Sequence, residues 1–520
     1  MIQGDAKAAG HVGVSYTCAQ NRPLGVRSVG IAERLARGAS AYIVWLAIGK
    51  GLTVIVQVVL GRWLGPSDYG MYSLGYSTTS LLSWVSVLGL DQGVLRFCAV
   101  HQTREHFDSA GATFWRALKL AIVASVLTSA LLVLGSGTIA GWFFTPSFAV
   151  VLFGFAITLP FVALIRVAGT YLQSLHDIHR MSVLQLLARP SLNLALLVLA
   201  IGFGWGLGGA VGAYVLCCVG AAGIAAYYLL KKSPTRPVLG RRTPRADPSL
   251  MRYSLALMCS GLGYQVILRA PQVALGHFST KVQVGIFSAA ASFALGFGFM
   301  NSTFLQPAMP IIVELHEKKQ YEALQHLYQN ATRWTLAVVT PIFLILCLFT
   351  NQIMSFFGRD FAAGGPILLA MSLAWLVYYC KGPGSALLQM TGRQNLDLAN
   401  TVGVAALTVA SNCLAIPLYG AFGAAIATAA SIVVWSLLEY FEIKVIYGLS
   451  PWSRGAQRNI LGTAVIAAIT IFLRHLLSWE ILLLTTLCAY GIFYFNFCLE
   501  AEDRRAFAGV LGNLGISPRS

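Results

Sequence analysis

The sequence predicts an all-α polytopic membrane protein of about fourteen transmembrane helices, arranged as two six-helix lobes in a parallel repeat with two further helices after them. Three observations predict it. Of 520 residues, 57% are hydrophobic and only 11% charged, with a mean hydropathy of +0.70. That balance leaves too little polar surface for a water-soluble fold. Apolar runs of about 20 residues recur with short polar gaps, the length a helix needs to cross roughly 30 Å of hydrocarbon. Helices are required because lipid cannot satisfy exposed backbone groups. The third observation is that segments of the first half recur in the second at one constant offset.

The spans fall near 40–60, 70–90, 112–134, 148–172, 181–203, 207–229, 253–275, 284–306, 332–350, 364–387, 398–418, 422–446, 457–474 and 480–498. Their orientation follows from the loops. The formal charge is +17, and one alternating set of loops holds most of it. That set takes Arg22, Arg27, Arg34 and Arg37 of the N-terminal tail, then Arg96, Arg104, Arg180, Lys318, Lys319, Arg393, Arg454, Arg504 and Arg505. The other set keeps little more than Arg62, Lys281 and Arg359. This is the positive-inside pattern, and it predicts both termini in the cytoplasm. No continuous basic face with interleaved aromatics exists, so a nucleic-acid partner is not expected.

The expected organisation is a basic cytoplasmic tail (1–39), a first six-helix lobe (40–229), a basic Pro-containing linker (230–252), a second lobe (253–447), and two extra helices with a cytoplasmic tail (448–520). The tail has no apolar h-region or small-residue cleavage site and does not read as a signal peptide. The repeat supports the two lobes. Leu60, Gly61, Gly70 and Ser73 match Leu275, Gly276, Gly285 and Ser288 at one offset, at which Arg166, Gly169 and Thr170 meet Lys381, Gly384 and Ser385. Gly209 and Gly212 against Gly420 and Gly423 give a third echo in a slightly shifted register. Six helices are an even number, so the copies share one orientation.

Nothing in the sequence points to catalysis. His176-x-x-His179 has metal-like spacing, but no further ligands converge on it, and a solvated loop is the expected reading. There is no HExxH, G-x-S-x-G or phosphate-binding P-loop, and no cofactor is expected. The cysteines, such as Cys217, Cys218, Cys347 and Cys413, sit mostly inside apolar runs without C-x-x-C spacing and read as structural thiols.

Charges within the spans carry the functional signal, since a cation at mid-bilayer costs about 2.5–3.5 kcal/mol on insertion scales. Lys50 precedes Gly61 by eleven residues, which puts it roughly 16 Å deep at helical rise. Arg269 lies on the repeat partner of that helix, one turn from Gln265, the residue matched to Lys50. Arg166 and Lys381 hold matched positions, with Gly382, Pro383 and Gly384 expected to weaken the second helix and to bare carbonyls to a cavity. Arg189, just before Pro190, is a further candidate. Through the first half no Asp or Glu lies deep in a span. Asp68 and Asp91 sit at span ends, and Glu439 and Glu442 toward the cytoplasmic end of the twelfth helix. A cation-lined path suits an anion, and Arg grips phosphate oxygens in a forked geometry.

The stretch from Leu60 through Gly61, Arg62, Trp63, Gly65, Pro66, Asp68, Tyr69 and Gly70 to Ser73 resembles the hallmark of polysaccharide-biosynthesis (O-antigen, Wzx-like) flippases of the MATE-like MOP exporter superfamily. Leu172-Gln173-Ser174-Leu175-His176 is similar to their turn after helix four, and the run Leu388 to Asn395 to its counterpart after helix ten. The resemblance extends over about residues 40–498. It implies two lobes around a central cavity lined by helices one, two, seven and eight, alternating access, and a polyprenyl-diphosphate-linked oligosaccharide as cargo. It further implies a bacterial inner-membrane location, contact with membrane lipids, and a polysaccharide polymerase or chain-length regulator as partner. On this reading Lys50, Arg269, Arg166, Lys381 and Arg189 are the substrate-binding candidates, and the chain is not an enzyme. The rival of the same superfamily is a cation-coupled drug or metabolite antiporter, which needs buried carboxylates. A glycan polymerase or ligase is the other rival, and it needs a large polar outer loop that the sequence lacks.

Overall fold

The computed structural model describes residues 25–103, 106–143, 147–175, 177–232, 248–296, 309 and 311–499. It divides into two compact units, Met1–Ala41 and Tyr42–Ser520. In the first, residues 25–41 are helical. The second holds everything that follows. Residues 1–24 of the basic tail, 233–247 of the linker and His176 of the His-x-x-His pair lie outside the described residues.

Regular structure is helical throughout, with no strand among the described residues. Ten helices are long and apolar enough to cross a membrane, so the chain is a multi-pass membrane protein. The difference from the expected fourteen spans has local causes. Two of the ten are double-length, Trp45–Val87 and Gln394–Tyr447, and each is broken at one glycine, Gly65 (φ 69°) and Gly420 (φ 57°). The loops expected near 60–70 and 418–422 are therefore sharp kinks inside helical runs. Glycine alone takes these left-handed angles without a Cβ penalty. Pro66, first after the break, has no N–H to leave unpaired. After Gly420 the new helix is capped from across the fold, where the Ala421 amide donates to Gln283 Oε1 at 2.8 Å. Two more segments, Pro248–Phe278 and Lys281–Gly296, fall outside the ten. The first carries Arg252 and Arg269 and the second is short.

Side chains of opposite character sort the helices. Leu134, Leu230 and Val445 stand more than four-fifths exposed on the flanks, where lipid replaces water as their surroundings. Inside, one cluster lies mostly in the first half and includes Val87, Phe114, Ala168, Tyr171 and Ala221, with Leu250 of the helix Pro248–Phe278 joining it and Phe114 stacked on Tyr171 at 4.1 Å. A second joins both halves through Leu60, Tyr72, Leu275, Phe287 and Phe343. The last two spanning helices, Arg454–Leu473 and Trp479–Phe493, pack on Tyr321–Leu348, and Tyr490 Oη donates to the Ala337 carbonyl at 3.1 Å.

The halves touch along two seams. At one, the matched glycines Gly70 and Gly285 allow backbone contact. A Cβ on Gly70 would strike the Lys281 carbonyl, and one on Gly285 the Pro66 carbonyl. The matched serines beside them are bonded, Ser73 Oγ to Ser288 Oγ at 2.9 Å. At the other seam, Gly89 (φ 66°) and Gly93 admit Ser254, Gly261 admits the Trp84 ring, and Arg96 lies 4.4 Å over Tyr253. Leu88, at φ 54°, holds a strained turn there.

Candidate functional site

Between the halves lies a chamber of about 180 Å³. Its walls come from both: Lys50, Gln57, Ser73, Tyr76 and Ser77 from the first, Arg269, Gln272, Ser288 and Ser292 from the second. Three of these pairs, Gln57/Gln272, Ser73/Ser288 and Ser77/Ser292, are related by the repeat offset, so the uncharged wall is close to two-fold symmetric. The cations break that symmetry. Lys50 is brought in by Gly49, whose missing side chain lets the helix press against the Leu186 carbonyl. Thr53 donates back to the Gly49 carbonyl at 2.8 Å and fixes the same turn. Arg269 stands 5.1 Å over the Tyr76 ring, with its Nε buried and without a hydrogen-bond partner. Among the described residues, no carboxylate lines this chamber. Tyr69 Oη donates to Gln57 Oε1 at 3.0 Å, and Ser77 Oγ donates to Gln272 Oε1.

A larger chamber, about 400 Å³, is lined entirely by the first half. Arg166 and Arg189 both reach it. Arg166 is compensated: Nε and Nη2 donate to Asp91 Oδ2 at 3.2 and 2.6 Å, and the guanidinium lies 4.2 Å from the Trp84 ring. Arg189 is not. Its Nη2 donates to Tyr214 Oη at 2.5 Å, while Nε is buried without a partner. A π-helical turn, Val183–Ala188, runs directly into Arg189. Such turns mark functional sites, and Pro190 after it cannot supply the usual amide. Gln92, Gln173, Gln185 and Thr170 add to the polar wall, together with hydroxyls such as Ser80 and Ser83, and Gly169 makes room for the Gln185 side chain. Tyr76 lines both chambers.

Lys381 is placed differently from the other four candidates. It is 4% exposed, paired with Glu439, and its Nζ lies 4.1 Å from the Tyr378 ring and 5.1 Å from that of Trp435. The helix does break beside it, at Gly382 (φ 69°) and Pro383. The expectation that the break bares carbonyls to a cavity needs correction. The Lys381 carbonyl accepts a 2.5 Å hydrogen bond from Tyr328 Oη, in the buried interior, because an unpaired carbonyl there would be costly. Ser385 Oγ donates to Glu439 Oε1 at 2.8 Å, Gln389 to Asp397 at 2.9 Å and Asn400 to Glu442 at 2.6 Å, so a carboxylate-rich network surrounds the lysine.

Formal charges stand out in the sequence, whereas the amides and hydroxyls of these walls do not. The signal for them was available: the offset that matched Gly70 to Gly285 also matches Gln57 to Gln272. Gln92, Gln173 and Gln185 have no such signature, since their convergence depends on how three helices rotate against one another.

Known proteins share the sequence pattern and the fold of this chain. Residues 35–316, more than half of the chain, match the sequence pattern of the family described as polysaccharide biosynthesis protein. The probable low-salt glycan biosynthesis flippase Agl15 of Haloferax volcanii is 22% identical over 211 residues, 39% of this chain and 45% of that protein's length. An uncharacterised membrane protein of Methanocaldococcus jannaschii is 20% identical over 457 residues, covering 80% and 85% of the two chains. Among solved structures, the lipid II flippase MurJ in an inward closed conformation superposes with a TM-score of 0.69 at 12% identity, over 91% of this chain and 99% of that one. An inward-facing MATE multidrug resistance transporter of the MOP superfamily gives 0.66 at 15% identity, over 78% and 98%. The likeness to those two structures defines an all-helical transporter fold, and the sequence match defines the lineage: the chain belongs to the polysaccharide biosynthesis protein family.

Proposed function

We propose that the chain is a flippase that carries a polyprenyl-diphosphate-linked oligosaccharide from the cytoplasmic to the outer leaflet of a bacterial inner membrane, for surface polysaccharide synthesis. One observation carries the reading. Lys50 and Arg269, contributed by different halves, face one chamber whose wall, among the described residues, holds no carboxylate. Two uncompensated cations at membrane depth are expensive. A diphosphate supplies the matching charge, and the lipid tail stays in the bilayer. Because the two cations belong to different halves, a ligand held by both is held at the surface where the halves must part. Opening one seam while the other stays shut gives alternating access. An inside-negative potential favours outward movement of the anion by about 2.3 kcal/mol per charge per 100 mV, and favours return of the empty cationic site.

The test is glycan export in cells carrying the double substitution Lys50→Ala, Arg269→Ala at matched protein levels. Hydrogen bonds to charged groups contribute about 1.5–3 kcal/mol each, so export is expected to fall by about tenfold or more. Undiminished export would remove the assignment.

A second reading, a cation-coupled antiporter, draws on the other half, where Asp397, Glu439 and Glu442 lie within electrostatic reach of Lys381. Three carboxylates against one ammonium leave negative charge that a bound proton or sodium ion would offset. Drug efflux from a susceptible host, with no effect of the chain on glycan export, would favour it.

A further inference from the structure

The diphosphate reading uses the chamber between the halves and leaves the larger one, in the first half, without a ligand. The two spaces share Tyr76 as a wall. A headgroup anchored by Lys50 and Arg269 therefore has the first-half chamber directly beside it, on the side away from the second half. We propose that this chamber seats the sugar nearest the diphosphate, and that this sugar bears a carboxylate held by Arg189. The inference rests on the flippase reading.

The wall chemistry selects the class. Gln92, Gln173 and Gln185 present amides that both donate and accept, as vicinal hydroxyls require. At about 400 Å³ the space has the size of a small-molecule site. Charge then narrows the choice. The chamber holds two guanidinium groups and one carboxylate, and Arg166 balances that carboxylate in charge through two bonds to Asp91 Oδ2, while Oδ1 is buried without a partner. Arg189 has the Tyr214 phenol and the Cys218 thiol beside it but no carboxylate, and keeps a buried Nε without a partner. One positive charge is left over. A neutral sugar would seal that cation away from water with nothing opposite it. A single carboxylate matches it in charge, and in shape when the guanidinium fork takes both oxygens. The two chambers thus divide the ligand: a doubly cationic one for the diphosphate, a singly cationic one for an acidic sugar.

The experiment uses the full chain in lipid nanodiscs and three synthetic probes: farnesyl diphosphate, farnesyl-diphosphate-linked glucose and farnesyl-diphosphate-linked glucuronate. Binding is measured for the wild type, Arg189→Gln, and the double variant Lys50→Ala, Arg269→Ala. The wild type is expected to bind the glucuronate probe at least about tenfold more tightly than the glucose probe, the scale of one charge-assisted pair. Arg189→Gln is expected to bring that ratio to about one, and the double variant to weaken all three probes while keeping the ratio. Equal affinity of the wild type for both sugar probes, with farnesyl diphosphate bound, overturns the acidic-sugar inference and leaves the flippase reading in place. A glucuronate preference that survives in Arg189→Gln overturns the assignment to Arg189. Failure of all three probes to bind the wild type overturns the diphosphate reading itself. The wild-type comparison stands even if a variant does not fold.

Discussion

Arg166 and Lys381 occupy the same position in the two copies of the repeat, and the two halves handle the cation in opposite ways. In the first, Arg166 shares one carboxylate, keeps 18% of its side chain exposed and opens onto a chamber that holds a second, uncompensated arginine. In the second, Lys381 is closed in by Glu439, Tyr378 and Trp435 and shows 3% of its side chain. The glycine three residues on illustrates the divergence. Gly169 makes room for a neutral amide, Gln185, and Gly384 makes room for the carboxylate of Glu439. Duplication preserved the backbone opening, and the side chain that entered it decided whether the space became a polar chamber or an ionic plug. On the proposed reading, the first half takes a ligand at this level and the second stays shut.

The sharpest way to break this contrast is Glu439→Gln. It leaves Lys381 buried and charged with no acid directly paired to it. Removing one member of a buried pair costs about 3–5 kcal/mol, because the remaining charge stays desolvated. A large fall in the thermal midpoint of the purified protein is expected, and Lys381→Met added to Glu439→Gln should recover most of it. A midpoint unmoved by Glu439→Gln would mean that Lys381 reaches water and that the second half is as open as the first.

Much of this arrangement was legible in the sequence, and the limits are physical. The offset that relates the copies brings Ser73 onto Ser288 and Gly70 against Gly285, because a two-fold relation places matched residues face to face where the halves meet. Depth in the spans singled out Lys50 and Arg269, and only the family resemblance implied that their helices face one cavity; both side chains line the chamber between the halves. The fate of Lys381 was not legible. Its partner Glu439 is 58 residues away on another helix, and whether a buried lysine meets an acid or a cavity depends on rotation about the helix axis, which an apolar run on both sides does not specify. The larger chamber escaped for the same reason. The kinks at Gly65 and Gly420 read as loops because glycine and proline signal a turn equally well whether the helix stops or only bends.

The paired glycines sharpen the comparison at a smaller scale. Gly384→Ala drives a methyl group into Glu439 and Ile443, and Glu439 is pinned by Lys381 and Ser385. Overpacking at a site that cannot yield costs about 1–3 kcal/mol. Gly169→Ala meets mainly the far end of the Gln185 side chain. That amide can swing into the chamber, so the expected loss of stability is under about 1 kcal/mol, since an alanine also favours the helix. Thermal midpoints of the two variants, measured side by side, check the order. If Gly169→Ala were the more damaging, the first-half chamber would be as tightly packed as the plug.

Asp91→Asn is the mildest of these changes and bears most directly on the chamber. Asp91 follows the strained turn at Leu88 and Gly89 and sits in the first turn of the helix Leu90–Thr103, where the helix N-terminus also favours its charge. The amide oxygen of Asn can still accept from Arg166, the Trp84 ring remains against the guanidinium, and the side chain can turn toward the open space. The expected cost is about 1 kcal/mol, against several for its counterpart in the other half. The electrostatic consequence is larger than the structural one. With the acid gone, Arg166 and Arg189 both face the chamber uncompensated, and its charge rises from one to two. Binding of farnesyl-diphosphate-linked glucuronate should then tighten and become more sensitive to salt, as exposed charge pairs are screened. A loss of binding instead would show that Asp91 holds Arg166 in a position the ligand needs, making the pair part of the sugar site and not merely its neutral border.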